Sequence, residues 1–129
     1  MKNGLVQLLK SLAKIKGIEW MRLFYCYPTF INSKLIEYIA SEEKVCNYVD
    51  VPLQHTHDFM LKRMKRQETE KGVRNMIDEL RTKVPGIALR TTFITGFPGE
   101  TDEHFKHLLE FVREIEFDHV GVFTYFHEE

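Results

Sequence analysis

Cysteine is almost missing from this chain. The two that occur, Cys26 and Cys46, lie twenty positions apart, with no C-x-x-C or other metal-ligand spacing. That excludes a disulfide-stapled scaffold and leaves two reduced, partly buried thiols as the expectation. Long apolar runs are missing too: none approaches the roughly 20 residues a membrane span needs. Residues 1–11 are too polar and broken for the apolar core of a secretory signal, so the expected compartment is the cytoplasm. Charge of one sign is also lacking. With 18 Lys and Arg against 19 Asp and Glu, the formal net charge is -1, which argues against a polyanion-coating protein and leaves room only for a local basic patch. No Walker loop, G-x-S-x-G or nucleophile–base pair is legible.

What is present is one domain's worth of chain, 129 residues, with strands and helices in alternation. Leu5, Leu8, Leu9 and Leu12 recur at helical spacing and predict an opening helix ended by Gly17. Residues 20–25 read as a first strand closed by Pro28, and Asn32 or Ser33 can cap a helix carrying Leu35, Ile36 and Ile39. Residues 48–51 form a short β-branched strand stopped by Pro52. A helical region follows from about Asp58, with Gly72 its weak point and Val73, Met76, Ile77 and Leu80 its apolar stripe. The turn at Pro85 and Gly86 leads into a third strand, 88–95. Thr101 caps a helix with Asp102 and Glu103 in its first turn and Phe105, Leu108, Leu109 and Val112 as its expected buried face. Residues 120–125 make the last strand.

This alternation predicts an α/β fold of about four parallel strands joined by right-handed crossovers. An open doubly wound sheet and part of a (β/α) barrel both fit. The chain ends favour the partial barrel, since two bare strand edges would be left unpaired, with self-association through them as a consequence.

In such folds ligands gather at the carboxyl ends of the strands. Those positions hold Tyr25 and Tyr27, then Gln54 and His55, then residues 95–100, then Tyr125. Arg90 and Thr92 share a face of the third strand; the arginine points either into a polar lumen, where it suits a carboxylate, or out from the exposed strand start. His55 with His57, and His104 with His107, have possible metal spacings, but solvated or core histidines are the better reading. Lys62, Arg63, Lys65 and Arg66, with Lys71 and Arg74 nearby, predict a solvated helix face, with an RNA- or ribosome-facing patch as the alternative.

Four blocks carry more than local pattern: RLFYCYP (22–28), YVDVPLQH (48–55), LRTTFITGFPGET (89–101) and FDHVGVFTY (117–125). In order and spacing, over nearly all of the chain, they resemble the radical S-adenosylmethionine methylthiotransferases. The segments PLQH, LRTT and VGVF are similar to the branch that adds a methylthio group to the β-carbon of an aspartate in a small-subunit ribosomal protein. The sister branch, which modifies a tRNA adenosine, is the nearer alternative. A stand-alone non-catalytic βα module binding a nucleotide or protein is the further one.

The resemblance implies a six-stranded partial (β/α) barrel, the C-terminal four strands of which lie in residues 1–129. It implies S-adenosylmethionine and a 4Fe-4S cluster as cofactors. Three thiolates of a C-x-x-x-C-x-x-C motif after the barrel's first strand hold that cluster, and electron transfer from it cleaves the sulfonium to a 5′-deoxyadenosyl radical. That cluster-binding strand, an N-terminal domain with a second cluster and a C-terminal TRAM domain are expected outside this chain, which alone is expected to be inactive. Cys26 and Cys46 cannot reproduce three closely spaced ligands, so no metal ligand and no catalytic residue is assigned here. Carried over by position, Gln54 and Arg90 face the methionyl or ribose group. Ile94, Gly96 and Phe97 lie near the adenine, and Tyr25, Tyr27 and Tyr125 line the substrate side, toward the ribosomal protein. Two positions depart from the family: His57 stands where serine is frequent, and Phe126 follows the last-strand tyrosine where serine is usual.

Overall fold

The computed structural model describes residues 4–128. Helix α1 spans Gly4–Ala13, strand β1 Met21–Leu23, α2 Ser33–Ser41, β2 Val45–Asp50, α3 Asp58–Arg63, α4 Glu70–Lys83, β3 Ala88–Thr95, α5 Asp102–Ile115 and β4 His119–Thr124, with a 3-10 turn at Pro28–Phe30. All strand pairs are parallel and the sheet order is β1-β2-β3-β4. A doubly wound sheet needs a reversal of strand order so that helices reach both faces. Here the order never reverses, so right-handed crossovers put the helices on one face. That is the winding of a barrel, and the sheet is a partial one.

The covered face joins Leu23, Val45, Val49, Leu89 and Phe93 of the strands to Leu35, Ile36 and Ile39 of α2, Ile77 and Leu80 of α4, and Leu108, Phe111 and Ile115 of α5. In-register parallel residues point the same way, so the pairs Arg90–His119, Thr92–Gly121 and Ile94–Phe123 define the opposite face. Arg22, Phe24 and Tyr48 continue it, and the Arg22 guanidinium sits 4.8 Å and 5.0 Å from the Phe24 and Tyr48 ring centroids. Apart from the buried Asp50 beside Arg90, this face is exposed or half-buried. Among the described residues no helix is long and apolar enough to cross a membrane.

The caps form as their chemistry predicts. The Asn32 side chain accepts the Leu35 N–H at 3.1 Å, and Thr101 with His104 makes a reciprocal capping box at the start of α5.

Several details differ from the sequence reading: α1 ends at Ala13, short of Gly17, and β4 lies one residue earlier, at His119–Thr124. Strand β1 is only three residues long, because Tyr25 turns left-handed (φ 55°) and gives its N–H to Asp50 Oδ2 instead of to the ladder. Strand β2 begins earlier, at Val45. The helical region breaks at residues 64–69 and not at Gly72, whose N–H is capped by Thr69 as the third residue of α4. On α5, Phe105 and Leu109 are each 39% exposed while Phe111 and Ile115 are buried. Two apolar stripes overlap on that helix, and only one meets the sheet.

Candidate functional site

The carboxyl ends of β2, β3 and β4 converge through the backbone. Gln54 adopts a left-handed conformation (φ 70°) that lays its peptide beside β3: its N–H donates to the Thr92 carbonyl and its carbonyl accepts from Ile94, each at 2.9 Å. One residue past β3, Gly96 has φ 76°, a conformation that glycine adopts without strain, and the space where its Cβ would point is open. The Tyr125 N–H continues the β4 ladder to the Thr95 carbonyl at 2.7 Å, which brings its ring edge-on to Phe97 at 5.1 Å. Gln54, Ile94, Gly96, Phe97 and Tyr125 therefore form one contiguous rim.

The other expected site residues stand apart from that group. Arg90 shares the open face with Ile94 but lies four residues lower, about 13 Å along the strand; it is half-buried and forms no ion pair among the described residues. Its register neighbour Asp50 is buried, with Oδ1 unpartnered. Tyr25 is 80% exposed at the end of β1. Tyr27 packs on the Arg66 guanidinium, 4.2 Å from its ring centroid, and near Phe30.

A polar pair not foreseen from the sequence underlies the rim. His55 is fully buried, and its Nδ1 accepts the N–H groups of Thr56 (2.9 Å) and His57 (3.1 Å). With Nδ1 an acceptor, the ring proton resides on Nε2 and is donated to Glu100 Oε2 at 2.8 Å. The other oxygen of Glu100 accepts the Gly96 N–H, also at 2.8 Å. Burial holds the His55 imidazole below its ordinary pKa, against the opposing pull of Glu100. Both residues were legible as strand-end positions; their pairing across 45 residues was not.

Three further histidines, His57, His104 and His107, meet near the start of α5. The His57 ring lies 4.4 Å from His104 and 5.0 Å from His107, and His107 bridges Thr56 and Glu70. The basic run is divided. Arg63 donates to the Pro98 carbonyl, Arg66 to Glu68 and Pro52, and Arg74 pairs with Glu70 and Glu114. Lys62, Lys65 and Lys71 remain on the surface.

The cysteines are placed far from cluster geometry. Cys26 follows β1, where burial and the nearby Asp50 raise its thiol pKa to about 11; Cys46 is on β2. Among the described residues no group of three or more His, Cys, Asp or Glu side chains is placed to hold a metal ion.

Comparison with known proteins agrees with this architecture. Residues 2–112 match the radical SAM superfamily. The chain is 55% identical over 122 residues to the ribosomal protein uS12 methylthiotransferase RimO of Geotalea uraniireducens, covering 95% of this chain and 27% of that protein. To RimO of Acetivibrio thermocellus it is 53% identical over 128 residues, covering 99% of this chain and 28% of that one. The chain thus spans less than a third of the length of these relatives. Among solved structures, coproporphyrinogen III oxidase HemN of Escherichia coli, a radical SAM enzyme, superposes with a TM-score of 0.76 at 20% identity, over 99% of this chain and 29% of HemN. The radical S-adenosylmethionine methyltransferase TsrM of Kitasatospora setae gives 0.71 at 19% identity, over 95% of this chain and 24% of TsrM. Parallel strands in unreversed order, their carboxyl ends meeting at one rim, and these likenesses have one reading: the chain belongs to the radical SAM superfamily, as a stretch of barrel similar to RimO.

Proposed function

We propose that this chain is the cofactor- and substrate-facing wall of a RimO-like methylthiotransferase, which modifies the β-carbon of an aspartate in ribosomal protein uS12 in the cytoplasm. One observation carries the reading. The contiguous rim of Gln54, Ile94, Gly96, Phe97 and Tyr125 lies in a chain 55% identical to RimO over 95% of its length.

The rim fits an adenosine-bearing ligand. Gly96 leaves open space where any other residue would project a Cβ, Ile94 offers an apolar surface below it, and Phe97 with Tyr125 forms an aromatic side wall. The Gln54 amide can donate and accept, which suits ribose hydroxyls or the methionyl group. Arg90, free of an ion-pair partner among the described residues, suits a carboxylate deeper in the lumen. Tyr25, Tyr27 and Tyr125 line the side from which the ribosomal protein approaches. S-adenosylmethionine supplies reductive sulfonium cleavage and hence access to an unactivated C–H bond; these residues bind it, orient it and exclude water.

The iron–sulfur cluster does not fit this chain. Two separated thiols, one with a pKa of about 11, are not three converging thiolates. On this reading the cluster-binding strand, the N-terminal methylthiotransferase domain and the TRAM domain lie outside these residues, and the chain alone is inactive.

The test is a chimera in which this chain replaces the matching segment of Geotalea uraniireducens RimO. Methylthiolation of uS12, detected by mass spectrometry, is the expected outcome. A chimera with normal iron content that leaves uS12 unmodified overturns the reading, and one that modifies tRNA instead assigns the chain to the sister branch.

A further inference from the structure

Resting on the adenosine-facing reading of the rim, we propose that His55 and Glu100 are positioning residues for that rim. The buried imidazole holds the Glu100 carboxylate, the carboxylate holds the Gly96 N–H, and the turn at 96–100 is thereby locked to the loop that carries Gln54.

The two segments are bound to each other twice. The backbone of Gln54 is paired with Thr92 and Ile94 at 2.9 Å, and the next residue, His55, reaches through Glu100 to Gly96. Gly96 and Gly99 both have positive φ (76° and 93°), so the turn has little intrinsic preference to hold it in place. The Glu100 N–H closes the turn on the Phe97 carbonyl at 2.9 Å; Arg63 of α3 donates to the Pro98 carbonyl from outside, and the Glu100 carboxylate ties the turn to His55. Because the Gly96 N–H is committed to Glu100, the ligand meets the shape of this turn and not that donor.

The direction of control follows from the histidine tautomer. Nδ1 already accepts two backbone N–H groups, so a second proton on the ring can enter only by breaking both. Protonation of His55 therefore loosens residues 55–57 and, through Glu100, the Gly96 turn. The groups facing this ring are Glu100 ahead of α5, His57 on its own loop and His104 on α5. His107 on α5, Asp58 on α3 and Glu70 on α4 stand behind His57. The two histidines oppose a positive charge on the ring and Glu100 favours it, while burial tips the ring toward neutral.

The experiment uses the full 129-residue chain, isotope-labelled, with S-adenosylhomocysteine as the probe. Without ligand, the Gly96 amide resonance is expected to follow the His55 imidazole through its titration, and to stop following it in Glu100→Ala. A Gly96 resonance indifferent to His55, or still coupled in Glu100→Ala, overturns the proposal whatever the ligand does. With ligand, Glu100→Ala is expected to weaken affinity on the order of tenfold, the loss typical of a charged hydrogen bond. Glu100→Gln keeps one of the two bonds and should recover part of it. Urea midpoints identify any variant that has unfolded. Equal affinity in folded wild type and Glu100→Ala overturns the positioning role. Wild type that binds no S-adenosylhomocysteine overturns the adenosine-facing reading instead, and the Gly96 resonance then decides the coupling by itself.

Discussion

Arg66 and Glu68 form an ion pair with Nε 2.6 Å from Oε1, their side chains only 11% and 3% exposed. The same guanidinium donates to the Pro52 carbonyl at 2.8 Å and covers the Tyr27 ring. One arginine thus joins the exits of β1 and β2 to the segment before α4, in a run of charges that reads locally as a solvated face.

Arg66→Met leaves Glu68 buried without its cation, and Glu68 Oε2 is already unpartnered. Breaking one side of such a pair costs on the order of 3 kcal/mol. Urea denaturation should show that loss, with part recovered in Arg66→Met/Glu68→Gln. A single-variant loss below about 1 kcal/mol would mean that water reaches Glu68 freely.

Gly99 is confined by the Arg63 side chain at the end of α3. At φ 93°, a Cβ there would lie 2.6 Å from Arg63 Nε. Gly99→Ala is expected to lose about 1–2 kcal/mol from the left-handed backbone alone, plus a steric share. In an Arg63→Ala background the steric share vanishes, so the double variant should be more stable than additivity predicts. Strict additivity would show that Arg63 moves aside at no cost.

Acid should destabilise the fold. Burial lowers the pKa values of both His55 and His57, with His104 contributing to both. A base with a depressed folded pKa gives stability that is full above its unfolded value of about 6.5 and is lost as pH falls toward the folded one. Between those values the unfolded chain binds more protons, so the slope of stability against pH is positive. Urea midpoints at pH 5 and pH 7.5 measure it. His55→Gln should flatten the slope, and an unchanged slope would assign the acid sensitivity to other groups.

Cys26 should be nearly inert. A thiol with a pKa of about 11 is roughly one-thousandth thiolate at pH 8. Alkylation by iodoacetamide, followed by peptide mass mapping, should therefore be far slower than for a free thiol. Anaerobic reconstitution should leave the isolated chain without stoichiometric iron. Rapid alkylation, or a broad iron–sulfur absorbance, would overturn this account of the thiols.

The free edge of β4 should drive self-association. Val122 and Phe123 are 59% and 64% exposed, on opposite faces of an edge strand. Sedimentation velocity should show oligomers that dissociate in Val122→Lys. A monodisperse monomer at high concentration would mean that the edge is blunted some other way.

Much of the fold was legible because its signals are local. Strand β3 was read to the residue, Ala88–Thr95, since its β-branched run is bounded by a Pro-Gly turn and a glycine. Thr101 is legible as a cap, and Asn32 as one of two candidates beside Ser33, because a cap acts on amides two or three residues away. The rim residues Gln54, Ile94, Gly96, Phe97 and Tyr125 were reachable from the strand ends and the family likeness together.

Other features depended on contacts that no local pattern encodes. The face of α5 that is buried, the early end of β1, the division of the basic run and the His55–Glu100–Gly96 chain were set by packing. Periodicity and capping are interactions within a turn or two, so the sequence by itself determined where helices and strands lie and that they alternate. Which of two overlapping stripes meets the sheet, and which buried imidazole meets which carboxylate 45 residues away, depends on strand order and register. Those are decided only when the parallel sheet closes its layers and each buried polar group must find a partner.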